Sequence, residues 1–394
     1  MLCLRQLNDL WGKPIYQSKL DLSESIGPVS TDSRKITDGS FYVPLIGKTF
    51  DGHNFIAQAF ERGAQAAVVA TDFSEKVPKG CPHWLVEDTL KAFQQIALLH
   101  RCALNIPVVA ITGSVGKTTT RELIKEVITP LGDIVSSSAN NNNDIGVPLT
   151  LFQAKESNAA IILEMGMRGL GEIQRLSCCS QPDIAVITNI GTAHIGRLGS
   201  RENIAIAKCE ITSCLKPDGV VVIPANDPLL EETLMNSWQG KVVRVAISEE
   251  PFFASSFSKE IDTLNLSNYH LLGKLNLKDD SLEVDGKIFK LPLPGRHNAE
   301  NFMLALAVAK ELGISFKEIN EITINRSPGR NNLFVFDGIT ILDETYNSSP
   351  ESVKASLDLL VSKPGRHFAV LGSMLELGNQ SIELHRQVAK RTVD

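Results

Sequence analysis

Apolar residues in this chain fall into two rhythms that alternate along its length. Short runs rich in β-branched residues, at Val108–Ile111, Ala159–Leu163, Ile184–Thr188, Val220–Ile223 and Val242–Ile247, read as buried strands. Between them the apolar residues recur at helical spacing, as at Leu123, Ile124, Val127 and Ile128, or across Leu90–Leu104. That spacing gathers them on one side of a helix. Strand alternating with helix predicts an α/β protein built on a parallel sheet.

The flanks carry weaker signals. Residues 1 to about 86 predict a small α/β unit. It has a strand over Gly39–Pro44, a helix opening at Gly47–His53 and running through Ala66, and a strand over Ala66–Val69. Residues 251–292 are more polar, and Leu282–Val284 and Ile288–Leu291 predict an antiparallel meander. The helix predicted over Phe302–Leu312 is apolar almost all round and therefore buried. A final unit starts near Arg326, with strands expected at Ile339–Leu342 and Phe368–Leu371. Two strands are fewer than an ordinary sheet has. The expected division is 1–86, 87–325 and 326–394.

Composition narrows the classes. With 43% hydrophobic and 21% charged residues, the chain has the make-up of a soluble globular protein. A net charge of −6 gives no support for a nucleic-acid partner. Seven cysteines, odd in number and without a CxxC pair, indicate neither a disulfide framework nor a zinc site. No signal-peptide core and no membrane-spanning run is found, so a cytoplasmic location is expected, and a monomer.

The chemistry concentrates at Gly113-Ser114-Val115-Gly116-Lys117-Thr118-Thr119, between a strand and a helix. Glycines let backbone N–H groups approach phosphate oxygens, and the helix that follows directs its positive end at them. Lys117 then reaches the terminal phosphates and the Thr118 hydroxyl meets Mg²⁺, as in a phosphate loop for ATP or GTP, though the spacing is shorter than usual. In an open parallel sheet, ligands lie beyond the carboxyl ends of the strands, which places Glu164 and His194 on the same edge. Glu164 suits a hard cation. For His194 a structural role is the default reading, and for Lys208 a solvated surface charge is. Asp32-Ser33-Arg34 and the loop at Lys48 read as anion sites or as ordinary turns, the latter being the commoner use of such clusters. Asn140–Asp144 is either a disordered polar loop or a binding loop whose amides suit a polar substrate. Asn301, at the start of a buried helix, could read an adenine edge. Arg330 suits a phosphate, and Asp343 stands at a strand's carboxyl end.

Together these residues resemble the Mur ligase superfamily, the ATP-dependent amide-forming enzymes of peptidoglycan assembly. The TGSVGKT loop has that superfamily's shortened form. NNDIGVP at 142–148, LPLPGRHN at 291–298, DETYNSSPES at 343–352 and GSMLELG at 372–378 resemble the branch that adds D-alanyl-D-alanine to UDP-N-acetylmuramoyl-tripeptide. The DNPR-type motif of the branch adding the third amino acid is not found. The resemblance implies three domains: a small UDP-substrate domain, a central P-loop domain and a Rossmann-like C-terminal domain. It implies an acid–amino-acid ligase using ATP and Mg²⁺. Another ligase of the superfamily, and a non-catalytic binder of nucleotide and UDP-muramoyl-peptide, stay open as alternatives.

Residue by residue, the resemblance gives Lys117 the β/γ-phosphates, and Thr118 and Glu164 the Mg²⁺. It sets His194 near a second Mg²⁺ and makes Lys208 a carbamylated lysine that serves as a metal ligand. Asn301, with His297 close by, matches the adenine-reading position. Arg330 and Asp343 match contacts to ATP from the last domain. Tyr346 and Asn347 match the dipeptide site. Asp32, Ser33, Arg34 and Lys48 fall in the UDP region, and Asn142, Asn143 and Asp144 face the muramoyl-peptide. Against a family length of about 450, the last domain is expected to be short by roughly 60 residues, more than loop variation covers.

Overall fold

The computed structural model describes residues 2–15, 21–138, 140–225, 227–249, 269–324, 329–330 and 332–393. Contacts divide the chain into two compact units: residues 1–106, 138–156 and 179–181, and residues 107–137, 157–178 and 182–394.

The chain opens with α1 (Leu4–Trp11), β1 (Val29–Ser30) and β2 (Ser40–Tyr42). Helix α2 (Ile56–Glu61), β3 (Ala64–Ala70), β4 (His83–Val86) and α3 (Thr89–Ala103) follow. Strands β1 to β4 form a parallel sheet in that order. Phe41, Val68, Trp84, Phe93 and Ile96 fill one core of this unit. Helix α3 starts where Asp88 accepts the N–H groups of Leu90 and Lys91, satisfying two donors that helix geometry leaves orphaned. The helix expected to run through Ala66 stops at Glu61. Gly63, at φ +99°, turns the chain there, and the alanines that read as helix belong to β3 instead.

The second unit begins with β5 (Val108–Thr112), α4 (Lys117–Val127) and β6 (Ile134–Ser136). Next come α5 (Gly146–Leu151), which belongs to the first unit, then β7 (Ala160–Glu164) and α6 (Glu172–Ser180). Strand β8 (Ile184–Ile187), α7 (Ile195–Leu198), α8 (Arg201–Cys209), β9 (Val220–Pro224), α9 (Pro228–Ser237) and β10 (Lys241–Glu249) continue the alternation. Strands β11 (Leu271–Asn276), β12 (Ser281–Val284) and β13 (Lys287–Lys290) lead into α10 (Arg296–Glu311). The sheet order is β13-β12-β11-β10-β9-β8-β5-β7-β6. Pairing is parallel from β6 to β11 and antiparallel from β11 to β13. The expected meander is therefore an antiparallel edge of the central sheet; its upstream part, 251–268, lies outside the described residues. Helix α10 packs into the same core as α4, burying Phe302, Met303, Leu304 and Leu306, as its all-round apolar pattern requires.

The chain ends with β14 (Asn332–Phe336), β15 (Ile339–Asp343), α11 (Pro350–Val361) and α12 (Ser381–Arg391). β14 and β15 pair as an antiparallel hairpin. The strand expected at Phe368–Leu371 does not form, and Phe368 and Val370 are exposed. An extended run becomes a strand only when a neighbour takes its N–H and C=O groups, and no described residue does so here. Ser327, Pro328 and the boundary expected at 325/326 lie outside the described residues.

One expectation from the cysteines is overturned. Cys178 and Cys214 are disulfide-bonded across 36 residues, while Cys3, Cys81, Cys102, Cys179 and Cys209 remain free. The pairing follows from the fold, which brings the end of α6 beside the turn after α8. No spacing motif announces it. Among the described residues no helix is long and apolar enough to cross a membrane.

Candidate active site

The site grows from the turn between β5 and α4. Gly116 holds φ +84°, and a Cβ there would stand 2.6 Å from Asn301 Oδ1. A Cβ on Gly113 would meet Thr188 Oγ1 at 1.9 Å. Both glycines are thus dictated by contact as well as by backbone angle. Lys117 folds its ammonium back onto the Gly113 carbonyl at 2.7 Å. Burial holds that ammonium below the usual lysine range, with Glu164 acting against the shift and Arg330 adding to it.

Not every loop amide faces outward. The Ser114 N–H donates to the Asn189 carbonyl at 3.2 Å and the Val115 N–H to Asn189 Oδ1 at 3.1 Å. Thr188 Oγ1 donates to the Val115 carbonyl, and the Gly191 N–H to Ser114 Oγ. The segment after β8 therefore braces the loop. The amides free for an anion are those of the first turn of α4, which have no partner within the helix.

Beside that turn, Glu164 ends β7 and is 3% exposed. Its Oε2 accepts from Thr118 Oγ1 at 3.0 Å and from Arg121 Nη1 at 3.1 Å. A hydroxyl and a carboxylate side by side are hard oxygen donors, and they fit Mg²⁺. Arg121, which sequence reasoning missed, neutralises the buried carboxylate from one turn along α4. Its signal was spacing: position 121 follows Lys117 and Thr118 by four and three residues, on the same side of a helix.

Lys208 corrects the surface-charge reading. It lies on α8 and is 1% exposed. Burial pushes its ammonium well below the lysine range, and the charge of Lys117 pushes the same way, against Glu210 and Glu172. His194 stands at φ +67° before α7 and gives Nδ1 to Glu376 Oε2. Burial lowers its pKa, Glu376 raises it, and Lys208 and Lys117 lower it. Lys117 is thus brought close enough to Glu164, His194, Lys208 and Arg330 to feel their charge, and Lys208 close enough to His194.

The remaining candidates divide. Asn301 is buried on α10, between Gly116 and the Thr120 hydroxyl, which donates to it at 3.2 Å. His297 is neighbour to Gly295, and burial lowers its pKa. Arg330 lies over the Tyr346 ring at 4.1 Å. Asp343 accepts from the Thr345 hydroxyl at 2.7 Å and the Thr345 N–H, which lower its pKa. Asn347 is exposed and accepts the Ser348 N–H.

In the first unit, Asp32, Ser33 and Arg34 line a cavity of about 540 Å³ with Phe50, Phe55 and Gln58. Arg34 makes a two-pronged pair with Asp32, whose carboxyl it holds down to about 2. Ser33 Oγ donates to Gln58 Oε1. Lys48 is exposed, in a turn closed by a bridge between Ile46 and Asp51. The Asn run is ordered where described, and it is partly structural. Asn143 Oδ1 accepts the Ile145 and Gly146 N–H groups at the start of α5, and Asp144 Oδ1 accepts from Gln94. Asn142 donates its N–H to the Asn140 carbonyl.

A phosphate loop at the carboxyl edge of a parallel sheet, with a buried acid beside its Thr, defines a P-loop nucleotide-binding α/β enzyme. The chain belongs to the Mur ligase family, and within it is of MurF type. The Mur ligase middle domain matches residues 111–309, and the Mur ligase family catalytic domain matches 25–101. The UDP-N-acetylmuramoyl-tripeptide–D-alanyl-D-alanine ligase of Synechocystis sp. is 39% identical over 379 residues, 95% of this chain and 79% of that protein. MurF from Acinetobacter baumannii superposes with a TM-score of 0.83 at 28% identity, over 99% of this chain and 83% of that one. MurF ligase from Thermotoga maritima in complex with ADP gives 0.77 at 27%, over 93% and 82%. The three-domain Mur ligase fold is thereby established, and with it an ATP-dependent ligase that forms amide bonds in peptidoglycan synthesis. Use of ATP with Mg²⁺, and of small nucleotide-linked precursors as substrates, is typical of this family.

Proposed function

We propose that this chain joins D-alanyl-D-alanine to UDP-N-acetylmuramoyl-tripeptide, in the cytoplasm and as a monomer, with domains at 1–86, 87–325 and 326–394. The observation that carries the reading is the cluster at the sheet edge: Thr118 and Arg121 on one oxygen of Glu164, with Lys117 and buried Lys208 within reach of each other's charge. The relative from Synechocystis sp., aligned over nearly the whole chain, bears the name of that activity.

The reaction needs two anions to meet. An oxygen of the tripeptide carboxylate attacks the γ-phosphorus of ATP, forming a P–O bond as the bond to ADP breaks. The dipeptide amine then attacks the acyl carbon, loses a proton, and phosphate departs from the tetrahedral intermediate. Lys117 and the first-turn amides of α4 cancel charge on the transferring phosphoryl group. Thr118 and Glu164 would hold Mg²⁺, which when bound adds positive charge at the same oxygens. Burial lowers the Lys208 pKa and so favours the neutral amine, whose electron pair carbamylation by CO₂ requires, with loss of a proton; as a carbamate it would offer a further oxygen ligand beside His194. Asn301 reads the adenine, and Arg330 and Asp343 bring the last segment to ATP. Tyr346 and Asn347 receive the dipeptide. Asp32, Ser33, Arg34 and Lys48 receive the UDP moiety, and Asn142, Asn143 and Asp144 the muramoyl-peptide.

Phosphate release from ATP and Mg²⁺ tests this, with UDP-MurNAc-tripeptide present and D-Ala-D-Ala added or withheld. Release that needs both substrates, with the pentapeptide mass in the product, is expected. Release that ignores the dipeptide, or accepts a single amino acid in its place, would sink the assignment.

A further inference from the structure

Glu376 belongs to the 372–378 block, and nothing above gives it a task. It lies between α11 and α12 at φ +62°, a left-handed conformation that costs a residue with a Cβ on the order of 1 kcal/mol. Two clamps hold it there. The Glu376 carbonyl accepts the Gly196 N–H at 2.9 Å, and Gly196 lies so near Gly378 that a Cβ on it would stand 2.4 Å from the Gly378 nitrogen. The side chain is anchored as firmly: Arg197 donates Nε and Nη2 to Oε1 at 3.0 and 2.7 Å. With Oε1 so occupied, Oε2 is turned onto His194 Nδ1. Glu351 seats the same loop from α11, accepting the Thr192 N–H at 2.8 Å and its hydroxyl at 2.9 Å.

We infer that Glu376 is the positioning residue of His194, and that Arg197 anchors it for that task. An ionised carboxylate only accepts, so Nδ1 must carry the hydrogen. In the neutral ring the proton is then absent from Nε2, whose lone pair is left available. This is the carboxylate–histidine pairing that fixes tautomer and ring orientation at cation sites. It also makes the segment after α11 part of the central site's chemistry, because without the 372–378 turn His194 loses its orienting group. The inference rests on the metal-side reading of His194 given above.

Ring ¹⁵N shifts of His194, recorded on the full chain without nucleotide or metal, test it directly. The wild type is expected to show the Nδ1–H tautomer. Glu376→Ala is expected to move the ring toward Nε2–H, the tautomer favoured without a partner, while Glu376→Gln, which retains an acceptor, moves it less. Arg197→Ala covers the case in which Glu376→Ala fails to fold: it leaves the carboxylate present but unanchored, and should give a mixed tautomer. In a second reading, Mn²⁺ affinity measured in the presence of ATP should fall about 10- to 100-fold in Glu376→Ala. An Nε2–H wild-type ring, or a tautomer that none of these substitutions moves, overturns the proposal. Because the tautomer is read without turnover, that failure is separate from any failure of the ligase assignment.

Discussion

Lys208 is the residue whose environment differs most from what its neighbours in sequence suggest. An ammonium in that site loses its hydration and gains Lys117 as a near positive charge, so the folded chain holds this proton less tightly than the unfolded chain does. The linkage has a definite sign. Between the folded pKa and the unfolded value of 10.5, the unfolded chain binds the extra proton, and stability therefore falls as pH drops through that window. Lys208→Met, of similar length and without charge, should raise the melting temperature in CO₂-free buffer at about pH 7. The gain should shrink as the pH rises past the unfolded pKa, above which both folded and unfolded lysine are neutral. A variant equally or less stable at neutral pH would mean that the ammonium is well solvated after all. Residues such as Lys117, Thr118 and Glu164 were legible because a local pattern places them: loop, helix start, strand end. Lys208 was not, because burial is set by what packs over a helix from distant parts of the chain, and Ala-Lys-Cys-Glu-Ile contains no trace of that.

At the scale of elements, the central sheet was readable because each parallel strand is a buried β-branched run and each helix has an apolar side. The small errors have physical causes. Ala64–Ala70 has no side chains large enough to set a period, so its first residues passed for helix. Phe368–Leu371 has the period of a strand but no partner among the described residues. The Asn run, a disordered loop or a binding loop by its sequence, carries a local structural task as well, since Asn143 Oδ1 accepts two N–H groups at the start of α5. The disulfide is the element-level feature with no sequence trace, and it can be tested. Cys178–Cys214 ties α6 to the turn after α8, closing 36 residues that include His194 and Lys208. Chain-entropy arguments assign such a loop about 3–4 kcal/mol. Reduction by a dithiol should lower the denaturant midpoint of the wild type by a matching amount. The Cys178→Ser/Cys214→Ser double variant should already unfold at the lower midpoint and ignore the dithiol. Thiol titration of the unreduced, denatured chain should count the five free cysteines, and seven thiols would show the bond unmade.

For the whole molecule, the decisive question is the route by which a carboxylate becomes an amide. The net charge is −6, so attraction of anionic substrates must come from local groups: Lys117, the α4 amides and the last segment's Arg330. In the proposed reading those groups meet phosphate oxygens, and that favours transfer of the γ-phosphoryl group to the acceptor carboxylate over direct attack of an amine on a free acid, whose oxygen is a poor leaving group. Phosphoryl transfer leaves a mark on the atoms. If the tripeptide's reacting carboxylate is labelled with ¹⁸O at both oxygens, one label must form the bridge of the acyl phosphate and leave with the phosphate when the amine attacks. The other must stay as the amide oxygen. Mass spectrometry should therefore find one ¹⁸O in each inorganic phosphate released and one in each amide formed. Unlabelled phosphate would mean that water, and not the carboxylate, took the phosphoryl group. The cluster around Glu164 would then be hydrolysing ATP without coupling it to amide formation.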